Sequence, residues 1–280
     1  MGHKIRIYSI ILLSAVIYSC DVDFSGFIRS TDRVEERFVQ SMAYNDVHPV
    51  ENIIVDSSHY DLLAAADLHV GTTINTEILF TYYKSSDDIA LILAGDIVSG
   101  RREHYELFSE CAEEVNKPLY MITGNHDLYF DGWKSFYELF GSSTYCFTVT
   151  TTDTSDLYIC LDSGGGTLGK SQVEWLEGVL AQNRHNSRYC IVVSHVNILR
   201  TRRTTSANPL VEEVAYLLDL FAKYDVNLVI TGHDHVQDAT KIGNTTYLIL
   251  DAVVDSNPNA GYIKISSEPD TLKYEFVRFY

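Results

Sequence analysis

Ile89-Ala90-Leu91-Ile92-Leu93-Ala94-Gly95-Asp96 is a run of apolar residues that stops on a Gly-Asp pair. A continuous apolar stretch of this length, bounded by turn-forming residues, reads as a strand covered on both faces, the pattern of a parallel sheet inside an α/β domain. The same grammar recurs along the chain. Residues 60–66 run into Asp67-Leu68-His69, 118–123 into Gly124-Asn125-His126-Asp127, 189–193 into Ser194-His195, and 226–230 into Gly232-His233-Asp234-His235. Asp96 follows Asp67 by 29 residues and Asn125 follows Asp96 by 29, about one strand-helix-strand unit each. Ligands of open α/β sheets bind beyond the carboxyl ends of the strands, so the five motifs are expected to converge on one site.

The letters of those motifs name a chemistry. The five motifs bring oxygen and imidazole nitrogen donors but no thiolate, a donor set that suits divalent Mn, Fe, Zn or Ni. An Asp-x-His or a Gly-Asp alone carries little weight, whereas Gly-Asn-His-Asp and Gly-His-Asp-His in this order are hard to reach by chance. Two divalent ions about 3.5–4 Å apart repel each other, and Asp96 is the natural carboxylate to stand between them. Coordinated water has its pKa lowered from 15.7 toward about 7, which supplies a nucleophile at neutral pH.

Over residues 60–255 these motifs resemble the calcineurin-like metallophosphoesterases. The resemblance implies a four-layer α-β-β-α fold, two central mixed sheets flanked by helices, and dinuclear-metal-dependent hydrolysis of a phosphodiester or phosphomonoester by a metal-bridging hydroxide. It implies one ion on Asp67, His69 and His235, a second on Asn125, His195 and His233, and Asp96 shared. His126 then lies over the substrate phosphate as general acid, with Asp127 orienting its ring. Purple acid phosphatases, a neighbouring branch, place a tyrosinate three residues after the bridging Asp. Ser99 stands there in this chain, which favours two divalent ions over a ferric centre. Within the family, cyclic-nucleotide phosphodiesterase and nuclease activities are alternatives. Outside it, the alternative is a catalytically inactive metal-binding lipoprotein, which would have no need of the His126-Asp127 pair.

The rest of the chain sets location and specificity. Lys4 and Arg6 precede an apolar segment over 7–17, and Cys20 follows Ser19, the layout of a lipoprotein signal in which Cys20 is acylated. Residues 1–20 are therefore read as a signal, 21–52 as a tether and N-terminal extension, and 53–280 as the catalytic domain. The expectation is an extracytoplasmic lipoprotein of the bacterial cell envelope held by its lipid anchor, or a secreted or periplasmic protein. Cys160 and Cys190 lie in strand runs and read as buried core residues. A formal charge of −17 argues against general nucleic-acid binding, and the resemblance implies a phosphorylated small molecule as the partner. Arg200, Arg202 and Arg203 form a basic cluster after His195, suited to bidentate recognition of phosphate, or else solvated surface. Arg101, Arg102 and His104 are candidates for the same cleft, while Tyr129, Phe130 and Trp133 read as packing residues. Helices are expected over 169–180 and 209–224, and 246–253, 261–266 and 272–280 read as strands completing the second sheet.

Overall fold

The apolar runs form strands whose two faces are both covered, which is why they lack alternation. In the computed structural model, which describes residues 32–200 and 207–280, β2 (Tyr60–Ala65), β3 (Leu91–Ala94) and β4 (Leu119–Ile122) pair in parallel. Two antiparallel strands, β11 (Gly261–Ser267) and β12 (Leu272–Arg278), extend the sheet beyond β2 to give the order β12-β11-β2-β3-β4. The second sheet holds β1 (Ile53–Ile54), β5 (Tyr145–Thr150), β6 (Ser155–Cys160), β7 (Cys190–Val193), β8 (Leu228–Thr231), β9 (Asp238–Ile242) and β10 (Thr245–Ile249). Its order is β1-β5-β6-β7-β8-β10-β9.

Successive residues of one strand serve different layers. Leu62 and Ala64 face inward to meet Phe147, Tyr158, Ile191 and Ile230 of the other sheet. Leu63 and Ala65 face outward, under a cover that includes Leu79 and Tyr83 of helix Ile74–Ser85, Phe108 of Arg102–Glu113, and Phe136 of Gly132–Phe140. On the far side Ile159, Val192 and Val229 pack under Leu176 and Leu180 of helix Gly169–Asn183 and Leu217 and Phe221 of Val211–Lys223. The result is the expected four-layer α-β-β-α sandwich, two mixed sheets flanked by helices.

One expectation changes, and one segment gains detail. The last three strands do not complete one sheet: β10 lies parallel to β8, while β11 crosses over to pair with β2. Residues 34–47 of the N-terminal extension, read from the sequence as packed but without a period, form the helix Val34–Val47 against the domain. Its N-terminus is set by the Glu36 side chain, which accepts the Arg33 backbone N–H at 2.8 Å. The helix escaped the periodicity test because its inward face is polar. Trp133 Nε1 donates to Gln40 Oε1 at 2.8 Å, Asn45 Nδ2 to the Thr144 carbonyl at 2.8 Å, and Ser41 is buried with Arg37. Cys160 and Cys190 are buried as expected, and the four described cysteines are free thiols. Cys20 lies outside the described residues.

Candidate metal centre

The loops that leave β2, β3, β4, β7 and β8 meet at one edge of the sandwich, and they are bound to one another before any side chain is considered. Asp67 N–H donates to the Gly95 carbonyl at 3.0 Å, His69 N–H to the Asp96 carbonyl at 3.0 Å, and Gly232 N–H to the His195 carbonyl at 3.0 Å. The turns are tight enough that Asp67, His69, Asp96, His233 and His235 all carry positive φ, between 46° and 72°. Side-chain-bearing residues seldom adopt this left-handed conformation, and such strain collects at functional sites. Two glycines make room for carboxylates. A Cβ on Gly124 would stand 2.2 Å from Asp96 Oδ1, and one on Gly232 would stand 2.4 Å from Asp67 Oδ2.

Two clusters of donor atoms result, one of Asp67, His69, Asp96 and His235, the other of Asp96, His195 and His233, each with its ligand atoms within 4.8 Å of one another. A single oxygen joins them: Asp96 Oδ2 lies 3.3 Å from His195 Nε2 and 3.8 Å from His69 Nε2. Imidazole nitrogens face each other in pairs, His69 Nε2 and His235 Nε2 at 3.3 Å, His233 Nδ1 and His195 Nε2 at 3.2 Å. The opposite ring nitrogens are engaged elsewhere, His195 Nδ1 with the Ala94 carbonyl at 2.9 Å and His233 Nε2 with the Ala207 carbonyl at 3.1 Å. Such outward bonds fix the tautomer and leave the inner nitrogen as a lone-pair donor. Asn125 belongs to the same centre. Its Nδ2 donates to Tyr129 Oη at 3.2 Å, and its buried Oδ1 has no hydrogen-bond partner among the described residues, an oxygen suited to a cation. The residues therefore fit a pair of metal ions.

The electrostatics agree. Burial, reinforced by His195, pushes His233 down to about 4, and burial pushes His69 down to about 4 against the pull of Asp96 and Asp67. Both rings are thus held in the neutral form that binds metal. Burial works against charge at His195 and Asp96 too, but their mutual attraction wins, raising His195 to about 10 and holding Asp96 well below the usual carboxylate range.

Not every expected residue keeps its role. His126 stands beside the centre, half-buried, its ring 4.6 Å from that of His69 and 4.6 Å from that of Tyr129. Asp127 does not orient it. The Asp127 carboxylate is buried and accepts backbone N–H groups from Ile97 at 3.2 Å, Val98 at 2.9 Å and Gly124 at 2.8 Å, so it clamps the β3 and β4 loops together. Burial, with the nearby charge of Asp96, pushes Asp127 up to about 7 against those three amides. Arg200 is likewise committed. It forms an ion pair with Asp234 at 2.9 Å and donates to the Ala207 carbonyl at 2.7 Å, bracing the loop that carries His233 and His235. Arg202 and Arg203 lie outside the described residues. Arg102 pairs with Glu106 and Glu138, Arg101 covers the Phe130 ring, and His104 Nδ1 meets Ser99 Oγ at 2.7 Å. Trp133 packs, as expected, against Phe136.

One contributor went unread in the sequence. Ser163 Oγ accepts the backbone N–H groups of His195 and Val196, both at 2.9 Å. The signal was present, because Leu157 to Leu161 is another apolar run that ends on Asp162-Ser163-Gly164.

A two-sheet sandwich with paired clusters of Asp, His and Asn at its loop edge defines a dinuclear phosphoesterase class. Residues 60–237 match the model of the calcineurin-like phosphoesterase family. The chain belongs to that family and is a metal-dependent phosphoester hydrolase. Among solved structures it is similar to a dimetal phosphatase from Danio rerio, at 13% identity and TM-score 0.62, covering 79% of this chain and 96% of that one. GAP50, described as the anchor in the inner membrane complex of Plasmodium, aligns with TM-score 0.61 and 13% identity over 79% of this chain and 85% of that one. PhoD gives TM-score 0.61 and 12% identity over 79% and 66% of the two chains. No curated protein sequence matches the chain.

Proposed function

We propose that the chain hydrolyses a phosphorylated small molecule, as a phosphomonoester or phosphodiester, at two divalent ions, and does so in the cell envelope. The observation that carries the two-ion reading is the single oxygen Asp96 Oδ2 shared by both donor clusters. Asp67, His69 and His235 would hold one ion, Asn125, His195 and His233 the other, with Asp96 common to both. Mn, Fe and Zn all suit this nitrogen and oxygen set. When bound, two such ions neutralise the phosphate and make a water acidic enough to attack it at neutral pH. The chain's own part is to fix the ions through buried Asp67, Asp96, Asn125, His195 and His233, the last two braced by outward ring bonds, and to place His126 where it can give a proton to the leaving oxygen. Stripping the protein with a chelator should abolish turnover of chromogenic phosphomonoesters and phosphodiesters alike, and Mn or Zn should restore one of the two. Full turnover in protein shown by elemental analysis to be metal-free would overturn the reading. Tight metal binding without turnover of either ester would favour the inactive lipoprotein.

The envelope reading rests on Lys4, Arg6, the apolar segment and Cys20, which lie outside the described residues. No helix of the described residues is long and apolar enough to cross a membrane. In this reading acylation of Cys20 attaches the protein to the membrane. Cys20→Ser should move the protein from the membrane fraction to the soluble fraction, or block its maturation. Unchanged fractionation and mobility would refute acylation.

A further inference from the structure

The N-terminal helix lies outside the 60–237 segment matched to the family, yet it reaches the back of the metal centre. Arg37 is 3% exposed and grips Asp162 with two nitrogens, Nε to Oδ2 at 2.6 Å and Nη2 to Oδ1 at 3.1 Å. Asp162 is 1% exposed and also accepts the Gly164 N–H at 3.1 Å, so the ion pair sets the turn that leaves β6. Ser163 sits within that turn. Its hydroxyl oxygen is the acceptor for the amides of His195 and Val196, and it joins the turn to the loop carrying His195. A second bracing runs from Glu35, whose carboxylate accepts the Lys170 N–H at 2.6 Å at the start of helix Gly169–Asn183. The helix therefore holds the β6 turn from both sides.

We propose that Ser163, fixed by the Arg37–Asp162 ion pair, is a positioning residue for the His195 half of the metal centre. The proposal rests on the two-ion reading above and goes beyond it by assigning the N-terminal helix to one ion rather than to the fold at large. The physical reason is direction. The His195 ring has two anchors, its Nδ1 bond to the Ala94 carbonyl and its backbone, and Ser163 supplies the second. The Asp67, His69 and His235 cluster has no bond to Ser163, Asp162 or Arg37 among the described residues. Loss of the hydroxyl leaves two buried amides without an acceptor and loosens the His195 backbone on its N–H side, leaving only the Gly232 bond to its carbonyl, so the cost falls on one ion.

Metal titration of chelator-treated full-length protein tests this, with Mn followed by electron paramagnetic resonance and apoprotein melting recorded alongside. Groups that orient metal ligands typically change affinity by roughly 10–100-fold. Ser163→Ala and Arg37→Met are each expected to weaken one of two Mn ions by about that factor and to spare the other. Ser163→Thr keeps the accepting oxygen at a residue that helps line a cavity of about 20 Å³, so it should retain tight binding of both ions. Equal weakening of both ions that tracks a lower apoprotein melting temperature would assign the residues to the fold and overturn the proposal. So would unchanged affinity of both ions in Ser163→Ala, or in a folded Arg37→Met. Fewer than two ions in the wild-type protein would instead remove the two-ion reading itself.

Discussion

Asp96→Asn should reduce bound metal from two ions to one or none and lower turnover by roughly 10³-fold or more. The side chain keeps its shape, and the Asn carbonyl can still accept the His126 backbone N–H that Asp96 Oδ1 accepts at 2.7 Å. What disappears is the negative charge at Oδ2, between His195 and His69. Two unit charges 4 Å apart interact by about 4 kcal/mol at an effective dielectric near 20, and two dications repel by about four times that. A loss of only ~4 kcal/mol at the transition state already corresponds to about 10³-fold in rate. Replacing one terminal ligand removes one donor from one ion, whereas Asp96→Asn withdraws charge from both. Elemental analysis after gel filtration reads the metal content directly. Two tightly held ions with near wild-type turnover would contradict the shared-carboxylate assignment.

His126→Ala is expected to lower turnover by about 10²–10⁴-fold for esters with poor leaving groups, the range general acid catalysis contributes. Nitrophenyl esters, whose leaving oxygen needs little protonation, should lose less. Metal content should stay at the wild-type level, because the ring belongs to neither donor cluster while its backbone bond to Asp96 survives in alanine. Loss of an ion in this variant would make His126 a ligand. Equal losses for good and poor leaving groups would make it a charge stabiliser instead of a proton donor.

The sandwich was readable because burial on both faces leaves an unmistakable trace, an apolar run that ends on Asp, Gly or Ser. The converging loops followed from that rule, whereas the choice of seven donors within them came from the resemblance to the calcineurin-like metallophosphoesterases. The role of Asp127 was not readable. Whether a buried carboxylate bonds an imidazole or three backbone amides depends on loop conformations that adjacent letters do not encode. Arg200 was misjudged for a related reason, since composition shows a positive charge after His195 but not the Asp234 that faces it from another loop. The helix Val34–Val47 hid because hydrophobic period detects apolar faces, and this one buries Arg37 and Ser41. Strand partnership at the end of the chain also lay beyond the sequence. β10 and β11 have similar letters, and only the geometry of the crossover sends them to different sheets.

The left-handed backbone at Asp67, His69, Asp96, His233 and His235 narrows what drift can do there. Asn, Asp and His are the side-chain-bearing residues most at ease in that conformation, while β-branched residues are the least. The loops thus ask for the same small alphabet that divalent ions ask for, on independent grounds. A descendant that stopped binding metal would still be held near Asp, Asn, His and Gly at these five positions by its turns. Reading such letters as proof of living chemistry therefore overcounts them. The discriminating positions are those where the backbone makes no such demand: Asn125 and His195, which lie outside the left-handed region.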